Sequence, residues 1–387
     1  VRRAEVFRDQ QGIDLRTGHR ATSIDRGRKV VCGATLDGAA FEQPYDKLLI
    51  ATGAAAIIPE IPGAELPGVL PLKTLADGRR IKALLAAGGV RHAVILGMGY
   101  VGMEMCESLR ALGIGVDMVK PRPEFMPGTA PELAQAVRRE LEDHGVGLHA
   151  GAPVERIEAR GGRLRVSGSG LALEADLVLA AVGVKPNSGL AREAGLALSV
   201  REAVAVDRKL ATSDPEIFAA GDCADAIHVV TGRKTWIPLA LRANRAGWAV
   251  ADTVCGEETA LDGVAGTAVF RVFGLEVART GLSAAEAAAA GFEPAAATIR
   301  STTRAHRFPG AAPLWVSAVA DRRSGRLLGM QLVGREGAAH RINAAAVALH
   351  AGLTLERFAQ ADLAYAPPFG PSWDPMLTCA RELMKQL

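Results

Sequence analysis

The sequence predicts an α/β protein built on parallel sheets and followed by a separate α+β domain, and three observations carry that prediction. A glycine-rich turn, GMGYVG at residues 97–102, lies between the apolar run Ala93-Val94-Ile95-Leu96 and helix-compatible sequence. Apolar runs that end in small-residue turns recur at residues 45–53, 176–183 and 217–222. Beyond about residue 264 the texture changes to β-rich stretches separated by helices.

The opening segment reads as short strands at Ile13-Asp14-Leu15-Arg16, Ala21-Thr22-Ser23-Ile24, Lys29-Val30-Val31-Cys32 and Ala34-Thr35-Leu36. Turn residues Asp25, Gly27, Asp37 and Gly38 separate the later ones. The run 45–53 is a strand closing in Thr52-Gly53. Pro59, Pro62, Pro67 and Pro71, with Gly63 and Gly68, form a loop-rich connection to a helix over 75–87. After the glycine turn, residues 103–112 are helix formers without proline, Gly113 ends that helix, and residues 115–119 form the next strand. A helix over 131–144 and strands at 147–149 and 164–167 follow. The apolar run 176–183 is a strand whose mate is 217–222, so one parallel sheet brings both endings to the same ligand-bearing edge. In the last domain, residues 268–273 and 327–334 are strands and 337–351 a helix.

The turn at 97–102 has the spacing of a dinucleotide site. Gly97 permits the tight turn, Gly99 lets the backbone approach a pyrophosphate, and Gly102 lets the helix pack close to the strand. The helix start, with Tyr100, Val101 and Glu104, belongs to the same cofactor-binding set, because its unpaired amides attract an anion. The following strand ends in Lys120, with Arg122 two residues on, where an acidic residue would select a free ribose hydroxyl. Two cations match a 2′-phosphate and predict NADPH over NADH. The competing readings are that both are solvated loop cations, with Asp117 or Glu124 serving the ribose.

Composition narrows the remaining classes. Net charge is +3 with scattered basic residues, so nucleic acid is not an expected partner. No apolar stretch reaches membrane-span length and the first residues lack an apolar signal core, so the expectation is a cytoplasmic protein without a membrane partner. The five cysteines, Cys32, Cys106, Cys223, Cys255 and Cys379, are far apart and show no metal-ligand spacing, so no metal site is predicted.

Four signatures stand in order: LLIATG at 48–53, GMGYVG at 97–102, AVGVKPN at 181–187 and TSDPEIFAAGDCAD at 212–225. In that order they resemble the FAD-dependent pyridine nucleotide-disulfide oxidoreductases. IPLALRANRAG at 237–247 and LAYAPPFGPSWDP at 363–375 are similar to the coenzyme A disulfide reductase, NADH oxidase and persulfide reductase branch. The resemblance implies two Rossmann-like FAD/NAD(P)-binding domains, the first incomplete, plus a C-terminal α+β dimerisation domain. Residues 1–73 and 192–262 would form the FAD-binding domain, 74–191 the NAD(P)-binding domain, and 263–387 a homodimer-forming domain.

Site roles follow from the same resemblance. Thr52 and Gly53 would lie against FAD, Asp222 would accept hydrogen bonds from its ribityl hydroxyls, and the strand-end glycines Gly183 and Gly221 join the cofactor set. The alternative reading of Asp222, from its residue type alone, is a helix cap. Leu239 and Ala240 would approach the isoalloxazine. Asn244 and Arg245 would meet a small thiol or disulfide substrate, Arg245 pairing with a coenzyme A phosphate or else sitting on a solvated helix face. Tyr365 is the implied catalytic residue, and Trp373 lines the same pocket; the competing reading of both is interface packing. His306-Arg307-Phe308-Pro309-Gly310 departs from a tyrosine-rich version in many relatives.

Two family motifs have no counterpart in this sequence: a first GxGxxG for the FAD pyrophosphate and a redox cysteine in an SxxNCGxP context. By resemblance the opening segment lies about seventy residues into a family member, so both are expected upstream of Val1. A shortened chain or a misplaced start explains this; a protein that has lost catalysis is the alternative. The implied activity is NAD(P)H- and FAD-dependent reduction of coenzyme A disulfide or a related disulfide or persulfide. The alternatives are an NADH oxidase or, for the chain as it stands, a non-catalytic NAD(P)-binding dimer.

Overall fold

The computed structural model describes residues 3–257 and 259–387, which divide into two compact units. One contains the described residues up to Ala54, with Pro186–Ala226 and Lys234–Leu261; the other contains Ala55–Lys185, Ile227–Arg233 and Asp262–Leu387. Among the described residues no helix is long and apolar enough to cross a membrane.

In the first unit, strands His19–Asp25, Val30–Thr35 and Ala40–Pro44 form an antiparallel meander. The two strands expected on either side of Gly33 are one, because a side chain at Gly33 would sit 2.2 Å from the Arg20 carbonyl and 2.5 Å from the Phe41 ring. Glycine here admits the ring of the third strand, which sequence reading missed. Residues 13–16 are not a strand: among the described residues no strand pairs with them. Separately, the short strands Leu48–Ile50 and Ile217–Ala219 run parallel, with Leu48 opposite Ile217. Ile50, Ile217, Phe218 and Ala219 are buried with Val204, Val206 and the inner face of the helix Ala240–Val254.

The second unit holds a parallel sheet in the order Val69–Pro71, Leu177–Ala180, His92–Leu96, Gly115–Lys120 and Val146–Ala150. Its strands read as unbroken apolar runs because both faces are covered. Ile95 and Met118 face the helices Tyr100–Ala111 and Pro131–Asp143, whereas Val94, Leu96 and Val178 face an antiparallel meander containing Ile157, Leu164 and Val166. Val69–Pro71 is the edge strand of this sheet, paired in parallel with Leu177–Ala180.

The expected pairing of 176–183 with 217–222 is incorrect. Leu177–Ala180 pairs with His92–Leu96 and Val69–Pro71 in this sheet, while Ile217–Ala219 pairs with Leu48–Ile50 in the other unit. Both runs carry the same signature of an apolar strand ending in glycine, and that signature does not specify a partner.

An antiparallel sheet completes the second unit, in the order Ala268–Val272, Leu275–Gly281, Leu327–Gly334, Pro313–Asp321 and Pro294–Thr302. Helices Ala338–His350 and Pro375–Met384 pack on it, burying Ile342, Leu349, Met376 and Leu383. Phe270, Val272, Leu275, Val277 and Val333 share a core with the helices of the parallel sheet. This sheet therefore reaches the neighbourhood of the glycine turn.

Candidate functional site

At the end of His92–Leu96 the chain reverses sharply into a helix. Gly97 has φ +112°, and a Cβ on it would lie 2.3 Å from the Ala181 carbonyl oxygen, so no other residue fits there without moving backbone. A Cβ on Gly102 would lie 2.7 Å from the Gly97 carbonyl, which is the close strand-to-helix contact that the spacing predicts. Gly99 differs: nothing lies within 4 Å of its Cβ position. It faces open space and sits at the N-cap of the helix Tyr100–Ala111, where no side chain caps the first amides. Uncapped amides at the positive end of a twelve-residue helix form an anion cradle.

That cradle opens onto a cavity of about 660 Å³. Gly97, Gly99, Tyr100, Lys120, Arg122 and Gly183 line it. Val101 and Glu104 are exposed on the helix and Gly102 is buried within it; none of the three is in the lining. Tyr100 leans on Phe270 with ring centroids 5.1 Å apart, and burial pushes its phenol pKa up. Lys120 donates to the Glu124 carbonyl at 2.6 Å. Burial, then the neighbouring charge of Arg122, holds the Lys120 ammonium below its ordinary value. Two cations that disfavour each other gain from an anion placed between them.

Asp117, one alternative for the ribose, is committed elsewhere. Its two carboxylate oxygens bond to His92 Nε2 and His149 Nε2, each at 2.6 Å, across three neighbouring strands. Sequence reading also missed the far wall of the cavity: Phe270, Val277, Arg279, Gln331 and Val333. These residues follow the glycine turn by more than a whole domain and carry no motif.

In the first unit, the ends of Leu48–Ile50 and Ile217–Ala219 lie side by side, with the Ala220 amide donating to the Ile50 carbonyl at 3.0 Å. Thr52 Oγ1 donates to the Asn187 carbonyl at 2.6 Å, and Asn187 Nδ2 returns a bond to the Thr52 carbonyl at 2.9 Å. The Asn187 backbone N–H donates to the Gly53 carbonyl at 2.9 Å, so Thr52 and Gly53 form one fixed turn. Gly221, at φ +80°, begins the adjacent turn and leaves Asp222 half-buried at its crest.

The back of that second turn is held by side chains that sequence reading did not assign. Trp236 Nε1 donates to the Asp222 carbonyl at 2.8 Å, and Arg242 donates to the carbonyls of Gly221 (2.7 Å) and Asp225. Arg242 is only 6% exposed, and burial depresses its pKa. Asp225, fully buried, accepts from the Val206 amide and from Lys234 Nζ, both at 3.0 Å. The remaining sequence-predicted residues lie on the helix Ala240–Val254: Leu239 is its N-cap, Ala240 its first residue, Asn244 bonds back to the Ala240 carbonyl, and Arg245 is half-buried. Two adjacent strand ends with glycine turns and a half-buried carboxylate between them suit the ribityl and isoalloxazine side of FAD.

Tyr365 and Trp373 come together in the second unit, lining a cavity of about 180 Å³ with Ser372 and Asp374. Both rings are about half exposed, and the Arg381 guanidinium lies 4.6 Å from the Trp373 ring centroid. Among the described residues no group of three or more His, Cys, Asp or Glu side chains is placed to hold a metal ion.

Comparison with known proteins places this geometry. The family model for pyridine nucleotide-disulphide oxidoreductase matches residues 2–247, and the dimerisation domain of the same family matches residues 267–376. The chain belongs to this family. It is a NAD(P)H-dependent flavoprotein oxidoreductase of the family, with FAD and a nicotinamide nucleotide as cofactors. It is 35% identical over 98% of its length to an NAD(P)H sulfur oxidoreductase (CoA-dependent) of Pyrococcus furiosus, covering 85% of that protein. An NADH oxidase of Methanocaldococcus jannaschii is 32% identical over 99% of the chain, again covering 85% of the relative. Among solved structures, a NAD-dependent persulfide reductase from A. fulgidus superposes with a TM-score of 0.95 at 35% identity, over 98% of this chain and 71% of that one.

Proposed function

We propose that this chain supplies the nicotinamide-binding, flavin-contacting and dimer-forming parts of a cytoplasmic enzyme that uses NADPH to reduce a low-molecular-weight disulfide or persulfide, such as a coenzyme A species. The observation that carries the cofactor reading is the cavity at the Gly97 turn, with an uncapped helix start at its base and Lys120 and Arg122 on its wall. Gly99 and the amides that follow receive the pyrophosphate, while the two cations receive the 2′-phosphate. Val101 and Glu104, on the exposed side of the same helix, complete the nicotinamide-facing set.

Thr52, Gly53, Gly221, Asp222, Leu239 and Ala240 would hold FAD, which when bound relays the two electrons of the nicotinamide to sulfur. The task of these residues is placement, with Asp222 accepting hydroxyl protons in hydrogen bonds and the glycine turns allowing backbone to approach. Asn244 and Arg245 contact the thiol substrate, Arg245 through a phosphate. Two copies pair through residues 263–387, and Tyr365 and Trp373 border the substrate. Residues 1–73 and 192–262 form the FAD-binding domain and 74–191 the nicotinamide domain.

The substrate class is supported by the relatives named for sulfur and persulfide reduction. The test follows NADPH oxidation by the purified protein with coenzyme A disulfide, scoring thiol release and oxygen uptake together. Thiol release without oxygen uptake agrees with the proposal; oxygen uptake without thiol release contradicts it and selects the oxidase reading.

A further inference from the structure

The loop at 121–130 joins the strand Gly115–Lys120 to the helix Pro131–Asp143 and supplies Arg122, Met126, Pro127 and Thr129 to the cavity. It contains three prolines and one glycine, and Gly128 has φ +78°. At its start Lys120 Nζ, from the preceding strand, donates to the Glu124 carbonyl at 2.6 Å, and the Gly151 amide donates to the Arg122 carbonyl at 3.0 Å. The other end is held from outside. Gln331, in the strand Leu327–Gly334, accepts from the Ala130 amide at 2.9 Å and donates to the Gly128 carbonyl at 2.6 Å.

Every residue of that strand is buried, and Gln331 is the only one with a polar side chain. A buried amide in such a setting is favourable only when both its ends are bonded, and here both go to the loop. The bond to Ala130 has a second role. Ala130 is the N-cap of the helix Pro131–Asp143 and, lacking a side-chain oxygen, cannot cap it. Arg279, directly opposite Gln331 in the neighbouring strand, lines the same cavity and is tied to Glu286 at 2.8 Å, so this wall is braced on both strands.

We infer that Gln331 is a positioning residue for the nucleotide: with the start of the loop held by the Gly151 amide, the C-terminal sheet sets its other end through this amide, and the two together hold Arg122 against a 2′-phosphate. The inference rests on the proposed NADPH reading of the cavity. Gln331 acts through the loop backbone, and its effect falls on the end of the nucleotide that Lys120 and Arg122 read. Bonds on opposite edges of the amide fix both the distance and the tilt of the loop, which neither bond does alone.

The test uses 2′,5′-ADP and 5′-AMP as probes, two ligands that share the adenosine and 5′-phosphate and differ only in the 2′-phosphate. Both are titrated calorimetrically into the purified full chain and into Gln331→Met, which keeps length and loses both bonds. The expected result is a fall of about tenfold in the preference for 2′,5′-ADP over 5′-AMP, with 5′-AMP affinity changed much less. Gln331→Glu, which keeps the acceptor for Ala130 and loses the donor to Gly128, is expected to fall between them and serves if Gln331→Met does not fold. An unchanged preference, or equal losses for the two probes, overturns the inference. A wild-type chain that binds 2′,5′-ADP no better than 5′-AMP overturns the NADPH reading itself, before any variant is compared.

Discussion

The two strand-end turns of this molecule do similar work with different construction. At Gly97 a single contiguous segment builds the turn, the anion cradle and the helix behind it, and the restrictions are steric: a Cβ on Gly102 would lie 2.7 Å from the Gly97 carbonyl, and a Cβ on Gly97 would lie 2.3 Å from the carbonyl of Ala181 beside it. At Gly221 the turn is held by bonds from sequence well downstream, through Trp236 and Arg242, and by the Ile50 carbonyl, which accepts from the Ala220 amide beside the Thr52-Gly53 turn that Asn187 locks. Local sterics leave a signature in sequence; assembled hydrogen bonding does not. The first turn is therefore a motif, and the second is recognised only through the company of other motifs.

The contrast breaks most visibly at the glycines. Gly97→Ala meets backbone and a positive φ, and we expect it to abolish measurable NADPH binding and to cost about 2 kcal/mol or more of folding stability. Gly99→Ala meets nothing, so its melting curve is expected to match wild type while NADPH affinity drops about tenfold from obstruction of the phosphate approach. Calorimetric titration and urea melts of both variants check this pair, and a Gly97→Ala protein that binds NADPH normally would remove the steric account.

The hydrogen-bonded turn should fail differently. Arg242→Met removes a buried cation that satisfies two carbonyls beside the buried Asp225, and a loss of about 3 kcal/mol is expected in urea unfolding. NADPH affinity, set by the other unit, should change little. A variant that melts with wild type would show that the clamp does not support the turn.

A smaller effect lies at the cavity wall. Lys120→Ala is expected to lower the ratio of NADPH to NADH affinity by about tenfold, through loss of a charge-assisted bond to the 2′-phosphate. If both affinities fall together, Lys120 serves the site in some other way.

The smallest expected effect is at the opposite end of the same parallel sheet, where Asp176 accepts from the Arg91 and His92 amides at 2.9 Å and from Arg163 Nε at 2.7 Å. Burial raises its pKa, but these bonds and the Arg163 charge outweigh burial and leave the carboxyl below its ordinary value. A depressed folded-state value means that the stabilisation is complete above the unfolded carboxylate range and fades as pH falls through the folded value. Asp176→Asn should therefore be less stable than wild type at neutral pH and converge with it in acid, as read from urea midpoints across pH.

Much of the second unit was legible in sequence because its helices and apolar strands are continuous. The helices at Leu75–Ala86 and Pro131–Asp143 lie within a residue or so of their expected bounds. What could not be read was pairing. The runs ending at Gly183 and Gly221 look alike, yet they belong to different sheets, since each strand's partner is chosen by chain topology beyond the local pattern. The role of Asp117 escaped for a related reason: which histidines flank it depends on the register of three strands. The far wall of the cavity, including Gln331, was invisible because an apolar strand with one amide announces no ligand.

The claim most exposed to measurement is that the Gly97 turn, with Lys120 and Arg122, forms an NADPH site. Equilibrium titration of the purified protein with NADPH and NADH, followed by nucleotide fluorescence at fixed ionic strength, tests it directly. The account predicts tighter binding of NADPH, by about tenfold. Equal affinities, or tighter binding of NADH, would contradict it.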